Sequence, residues 1–152
     1  MKIELKNIKI ASFLSQETAA YTAALYVDGR KIGTVGNDGH GGCDLFSPEN
    51  GQEDYKRFDA AEALSKAATG DDIEMVCAKA LDDHETAKDL KRLLKSKILY
   101  TKGGGLFEMR WKNCRKLEAK HFQVFAEKYP AVVTLNSMTF KKALAAYKGC
   151  AQ

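Results

Sequence analysis

The sequence predicts an α+β protein: an N-terminal three-stranded antiparallel meander, a helical middle, a second hairpin and C-terminal helices. Three observations carry this reading. Apolar residues alternate two by two in the opening segment, recur at helical spacing in the middle, and show both patterns again before the C-terminus. A chain of 152 residues suits a single domain, 1–152, large enough to bury a core without crosslinks.

In "MKIELKNIKI", Ile3 and Leu5 alternate with charged residues. Ile8 and Ile10 continue in shifted phase, which predicts a bulge near Asn7. Strands are expected around Ala20–Val27 and Lys31–Val35, joined at Asp28-Gly29, because glycine supplies the positive φ of a tight hairpin turn. From Asn37 to about Arg57 the chain is rich in Gly, Asn, Asp and Pro and reads as a loop. A loop of roughly twenty residues is long for a compact domain and draws attention as a functional segment.

Helices follow. "FDAAEALSKAATG" places Asp59 as a cap and Gly70 as a stop. In "DDIEMVCAKAL", Ile73, Val76, Cys77, Ala80 and Leu81 form an apolar stripe. A polar break at Asp82–Glu85 is expected to separate it from "TAKDLKRLLKSK", whose Leu90, Leu93 and Leu94 make a second buried face. Ile98 and Tyr100, the glycines at 103–105 and the returning Leu106 to Trp111 predict the second hairpin. Residues 114–129 read as a helix ended by Tyr129-Pro130, "AVVTL" as a short β-rich run, and Ser137 or Thr139 as the start of a final helix through Tyr147.

Composition excludes several classes of function. No apolar run approaches the roughly 20 residues of a membrane span, so no membrane role is expected. The N-terminus lacks the continuous apolar stretch of a signal peptide and reads as a strand of a soluble, cytoplasmic protein. Cys43, Cys77, Cys114 and Cys150 stand singly, without the close ligand pairs of a structural zinc site, and disulfides are not expected. The net charge of +4 hides an asymmetry: from Asp38 to Asp89 there are 14 acidic against 5 basic residues, and from Lys91 onward 14 basic against 3 acidic. Such a split suits partner recognition, although two halves that neutralise each other explain it as well.

Two segments are candidate sites. The first is "NDGHGGCD": Asn37, Asp38, Gly39, His40, Gly41, Gly42, Cys43 and Asp44. Neither nucleotide-binding glycine fingerprint is present, but the freed N–H groups could form an anion nest. Asp38 and Asp44, which oppose a phosphate, could hold ribose hydroxyls or a cation, so a small-ligand or nucleotide-binding loop is an alternative reading. The plainer explanation is backbone geometry, with Gly36, Gly39, Gly41 and Gly42 at positive φ. His40 and Cys43 could begin a metal site, or Cys43 a nucleophilic pair, only if His84 or His121 folded back to them. The flanking Asp38 and Asp44 are expected to raise the Cys43 thiol. Neither a metal nor a cofactor is expected, and binding is expected rather than catalysis.

The second candidate is basic. Lys97, Lys102, Arg110, Lys112, Arg115, Lys116 and Lys120 interleave with Tyr100, Phe107 and Trp111, a pattern able to hold phosphates and stack bases. Alternation also puts Phe107, Met109 and Trp111 on one strand face, as a core would.

The run "YVDGRKIGTVGNDGHGGCD" resembles a pattern in small tailed-phage and prophage proteins, in which a hairpin strand leads into N-D-G-x-G-G-C. "LKRLLKSKILYTKGGG" and "LNSMTFKKAL" are similar to further segments of that group. The resemblance implies a phage accessory protein in the cytoplasm of a bacterial host. By analogy it implies binding to a host or defence protein, as an inhibitor of anti-phage defence would. The alternative partner, nucleic acid, is expected from the basic residues of the C-terminal half. It brings no fold, activity or catalytic residues with it.

Overall fold

In the computed structural model, which describes residues 1–150, the chain is α+β and divides into two compact units, Met1–His84 and Glu85–Gln152. The first unit opens with β1 (Ile3–Ile10), β2 (Tyr21–Val27) and β3 (Arg30–Asn37), an antiparallel meander. Its register slips between Lys6 and Lys9, where Asn7 adopts φ 54 and absorbs an extra residue. A second slip pairs Leu25 with Gly33 but Tyr26 with Lys31. Ile32 is thereby left between ladder positions, so Ile32 and Val35 both reach the core despite their odd spacing.

A fourth strand, β4 (Leu45–Pro48), lies inside the segment read as loop and extends the sheet beyond β3. Two features hold it there. A Cβ on Gly33 would meet the Ser47 carbonyl oxygen at 2.3 Å, so only glycine permits the approach. Phe46 also stacks on Phe58 at 4.4 Å and meets Tyr55 edge-on at 5.6 Å. Both partners belong to α1 (Gln52–Thr69), which begins earlier than the sequence suggests. Asp59 lies within the helix, and Gly51 is its N-cap. The fully buried Asp54 accepts from the backbone and side-chain nitrogens of Asn50 at 2.8 and 3.0 Å, tying the approach to the helix onto its first turn. Gly70 ends α1 in the left-handed conformation, as its position predicts.

The helix α2 (Ile73–Ser96) runs unbroken through Asp82–Glu85, and the boundary between the units falls inside it. Those four residues are exposed and include neither glycine nor proline, so nothing interrupts the backbone ladder. In the first unit, Ile73, Cys77 and Leu81 join Ala61 of α1 against Tyr21, Ala23, Leu25, Ile32 and Val35. That is one sheet face covered by two helices.

The second unit is organised around β5 (Lys97–Lys102) and β6 (Gly105–Arg110), which turn at Gly103-Gly104, both at positive φ. On one side Leu99 and Leu106 pack with Leu90, with Leu135 of a short 3-10 turn (Leu135–Ser137), and with Ala143 of α4 (Phe140–Cys150). On the other, Tyr100 contacts Phe107, Phe125 and Tyr129, with centroids 5.1–5.6 Å apart. Phe125 belongs to α3 (Ala119–Lys128), which stops at Tyr129, before Pro130. "AVVTL" forms no strand; a single bridge joins Thr134 to Tyr100. Among the described residues no helix is long and apolar enough to cross a membrane.

Candidate functional site

The glycine-rich segment connects β3 to β4 and is tied into itself. Asn37 is its hub. Its Oδ1 accepts from Thr18 Oγ1 at 2.6 Å and from the Gly39 N–H at 2.9 Å. Its Nδ2 donates to the Gly42 carbonyl at 3.1 Å and to Asp44 Oδ1 at 3.3 Å. The Gly39 carbonyl in turn accepts from the N–H groups of Gln16, Glu17 and Thr18. Gly39, Gly41 and Gly42 have φ between 87 and 92°, as glycine density predicts. Gly36 does not share it; it is an ordinary strand residue whose hydrogen lies against Tyr21, where a Cβ would come within 2.5 Å of the carbonyl oxygen.

This geometry leaves little for an anion. The N–H of His40 donates to Asp38 Oδ1 at 3.0 Å, that of Gly41 to Thr18 Oγ1 at 3.3 Å, and that of Asp44 to Glu74 Oε1 at 2.7 Å. Asp38, Asp44 and Glu74 would meet a phosphate with like charge. The Cys43 thiol is exposed and held above its ordinary value, chiefly by Glu74, which faces it and hydrogen-bonds it, then by Asp44 and Asp72. The direction is the one expected from sequence. The main cause, however, is a helix residue 31 positions along the chain. A raised thiol is a poorer nucleophile at neutral pH. Beneath the loop the Tyr21 hydroxyl donates to Asp44 Oδ2, and burial pushes the Cys77 thiol up to about 12. No group of three His, Cys, Asp or Glu residues able to hold a metal ion exists among the described residues. His84 is exposed on α2, whereas His121 is buried in α3, where its Nδ1 accepts from the Glu118 N–H at 2.9 Å.

The basic candidate is arranged differently. Its seven cations do not form one patch. Lys102 sits at the Gly103-Gly104 turn, whereas Lys97 pairs with Arg110 in register at the opposite end of the hairpin. At about 3.3 Å per residue the two ends are roughly 17 Å apart. Lys97 is bound to Glu108 and Lys120 to Glu118. Lys102, Arg110, Lys112, Arg115 and Lys116 are exposed and make no ion pair among the described residues. Of these, Arg110 and Arg115 line one cleft with Trp111.

The 111–118 segment that carries them is ordered by three hydrogen bonds. The Cys114 N–H donates to the Trp111 carbonyl at 3.1 Å, Cys114 Sγ to the Lys116 carbonyl at 3.2 Å, and the Leu117 N–H to the Lys95 carbonyl at 2.7 Å. The last bond returns the loop to the end of α2 and encloses a cleft of about 420 Å³ lined by Ser96, Lys97, Arg110, Trp111, Cys114 and Arg115. Asn136 fixes the α2–β5 junction that carries Ser96 and Lys97: its Nδ2 donates to the carbonyls of Leu94 and Lys97, and its Oδ1 accepts from the Leu99 N–H, all within 2.9–3.0 Å. Sequence reasoning missed Ser96 and Asn136. Neither carries a local motif, since a side chain that bridges 37 to 42 positions is invisible to spacing. No family model, no curated protein and no solved structure matches this chain.

Proposed function

We propose that this protein is a phage-type accessory protein that works by binding a macromolecule, and that the macromolecule is nucleic acid held by the second unit. One observation carries the reading: Arg110 and Arg115 line one cleft with Trp111, and neither they nor their chain neighbours Lys112 and Lys116 have carboxylate partners among the described residues. Charge over the whole unit supports it. Glu85–Gln152 holds 15 basic and 5 acidic residues, a net of +10, whereas Met1–His84 holds 9 basic and 15 acidic, a net of −6. A surface of that sign raises the local concentration of a polyanion and speeds its association.

The test is fluorescence anisotropy of a labelled single strand at several salt concentrations. Four phosphate contacts give an affinity that falls about 50-fold between roughly 50 and 200 mM salt, because each neutralised phosphate releases counterions. Replacing Arg115 and Lys116 together by Glu flattens that dependence. No binding at roughly 50 mM salt refutes the reading.

A second reading, a host or defence protein as partner, has one observation in its favour. Phe13 is 87% exposed in the β1–β2 loop, next to Leu14, which lines a groove with Ile10, Ala20 and His40. Large exposed aromatics of this kind anchor protein interfaces. Phe13→Ser then abolishes inhibition of a defence system, in a plaque assay, while nucleic-acid affinity is unchanged.

A further inference from the structure

We infer that the cleft between the 111–118 loop and the α2–β5 junction takes a single unstacked nucleotide, its base against Trp111 and its phosphate between Arg110 and Arg115. This rests on the nucleic-acid reading above and adds a specific ligand to it. Charge alone would be satisfied by any polyanion lying on the surface. The cleft asks for more.

Its lining combines two chemistries that one nucleotide supplies. Arg110 and Arg115 present guanidinium forks with no carboxylate partner among the described residues, the geometry that grips phosphate oxygens in pairs. Trp111 presents an indole in the same cavity, half-buried and braced by the His121 ring at 4.7 Å, which leaves the rest of its surface to line the cleft. His121 is itself fixed by the bond from Glu118, so the indole is mounted on a rigid support. The volume, about 420 Å³, falls within the roughly 300–1,000 Å³ range of small-ligand sites. Glu108, the nearest acid in sequence to Arg110, is engaged by Lys97.

The site is also preformed. Asn113, in the cleft wall, holds φ 61, a left-handed conformation that non-glycine residues adopt only when the surroundings impose it. The bonds at Cys114 and Leu117 impose it here. A base within a duplex is stacked on both faces and cannot reach the indole. A single strand, or a free nucleotide, can.

Trp111 is the only tryptophan in the chain, so its emission reports this cleft alone. The unmodified protein is titrated with a short oligothymidylate, the same sequence as duplex, thymidine 5′-monophosphate and inorganic polyphosphate. The oligothymidylate is expected to quench the emission and to bind at least tenfold tighter than the duplex. Polyphosphate binds without quenching. Trp111→Ala lowers single-strand affinity by about 5- to 150-fold, the range of one lost base stack, and leaves duplex and polyphosphate affinity unchanged. Trp111→Phe keeps most of the single-strand affinity. Thymidine 5′-monophosphate binding as tightly as the strand supports the cleft and makes a free nucleotide its ligand; weak binding with quenching supports a strand.

An oligothymidylate that binds no tighter than duplex and leaves the emission unchanged overturns the nucleotide cleft while the charge reading stands. Failure of every polyanion to bind overturns both. The quenching measurement needs no variant, so it decides the matter even if Trp111→Ala fails to fold.

Discussion

Two loops of this protein stand out in the sequence, and they behave in opposite ways. The 37–44 loop concentrates glycines, an imidazole and a thiol, yet its polar groups are directed at one another: Asn37 alone joins Thr18, Gly39, Gly42 and Asp44. The 111–118 loop has no glycine at all, and its cations have no carboxylate partners except at Lys120 beyond its end. Glycine density therefore marks a backbone under geometric demand, whereas availability for a ligand depends on which charges stay unpaired. The first loop is part of the fold; the second rests on the fold and faces outward.

The largest effect that sharpens this contrast is expected at high pH, in the core beneath the first loop. Cys77 is fully buried, and its thiol is pushed from 9.0 up to about 12. Burial raises the Tyr21 hydroxyl as well. Below about pH 8 both groups are protonated whether the chain is folded or not, so stability does not depend on them. Above that the unfolded chain ionises first and is favoured, and the gap between 9.0 and about 12 amounts to about 4 kcal/mol for Cys77. Urea unfolding followed from pH 8 to 11 should show about 3 kcal/mol of this loss from Cys77, and Cys77→Ala should reduce the slope to the part owed to Tyr21. A stability that is unchanged across that range would break the assignment of the first loop to a pH-sensitive core.

Next in size is a pair of glycines. Gly39 sits at φ 91, and a Cβ there would meet the Leu14 carbonyl oxygen at 2.5 Å and the Ala20 methyl at 2.9 Å. Strain and overlap together predict that Gly39→Ala costs about 3 kcal/mol or more. Gly42, at φ 87 with open space around it, carries only the conformational part, and Gly42→Ala costs about 1 kcal/mol. Thermal unfolding of the two variants separates them. Equal losses would mean that the surroundings of Gly39 relax freely, and that the loop is less tightly knit than its bonds imply.

The smallest effect lies in the other loop. Arg115→Glu with Lys116→Glu should leave unfolding free energy within about 0.5 kcal/mol while it weakens nucleic-acid binding, because neither cation has a partner to lose. A large loss of stability would make these residues structural and erase the contrast.

Much of the fold was legible because local chemistry decided it. Asp28-Gly29 does form the turn, with φ 48 and 81, and Asn7, Gly70 and Tyr129-Pro130 act where their own backbone preferences place them. What escaped was set from a distance. The β4 strand hides in loop-like composition because its stability comes from Gly33 and from the rings of α1. The start of α1 escaped because Gly51 caps it without a side-chain hydrogen bond. Of the sites, the residue types were readable and their pairing was not. Nothing in spacing says that Lys97 takes Glu108 and leaves Arg110 free, or that Glu74 reaches Cys43.

The sheet of the first unit has two open margins, and both are blunted against strand addition. At β1 the bulge at Asn7 interrupts the row of free amides and carbonyls, and Lys2, Lys6 and Lys9 stand exposed along it. At β4 the margin is only four residues long and ends in Pro48, which has no amide hydrogen to offer. A neighbouring chain in extended conformation meets charge, a kink or a missing donor at either side, so growth of cross-β fibrils from this sheet is disfavoured even when copies crowd together.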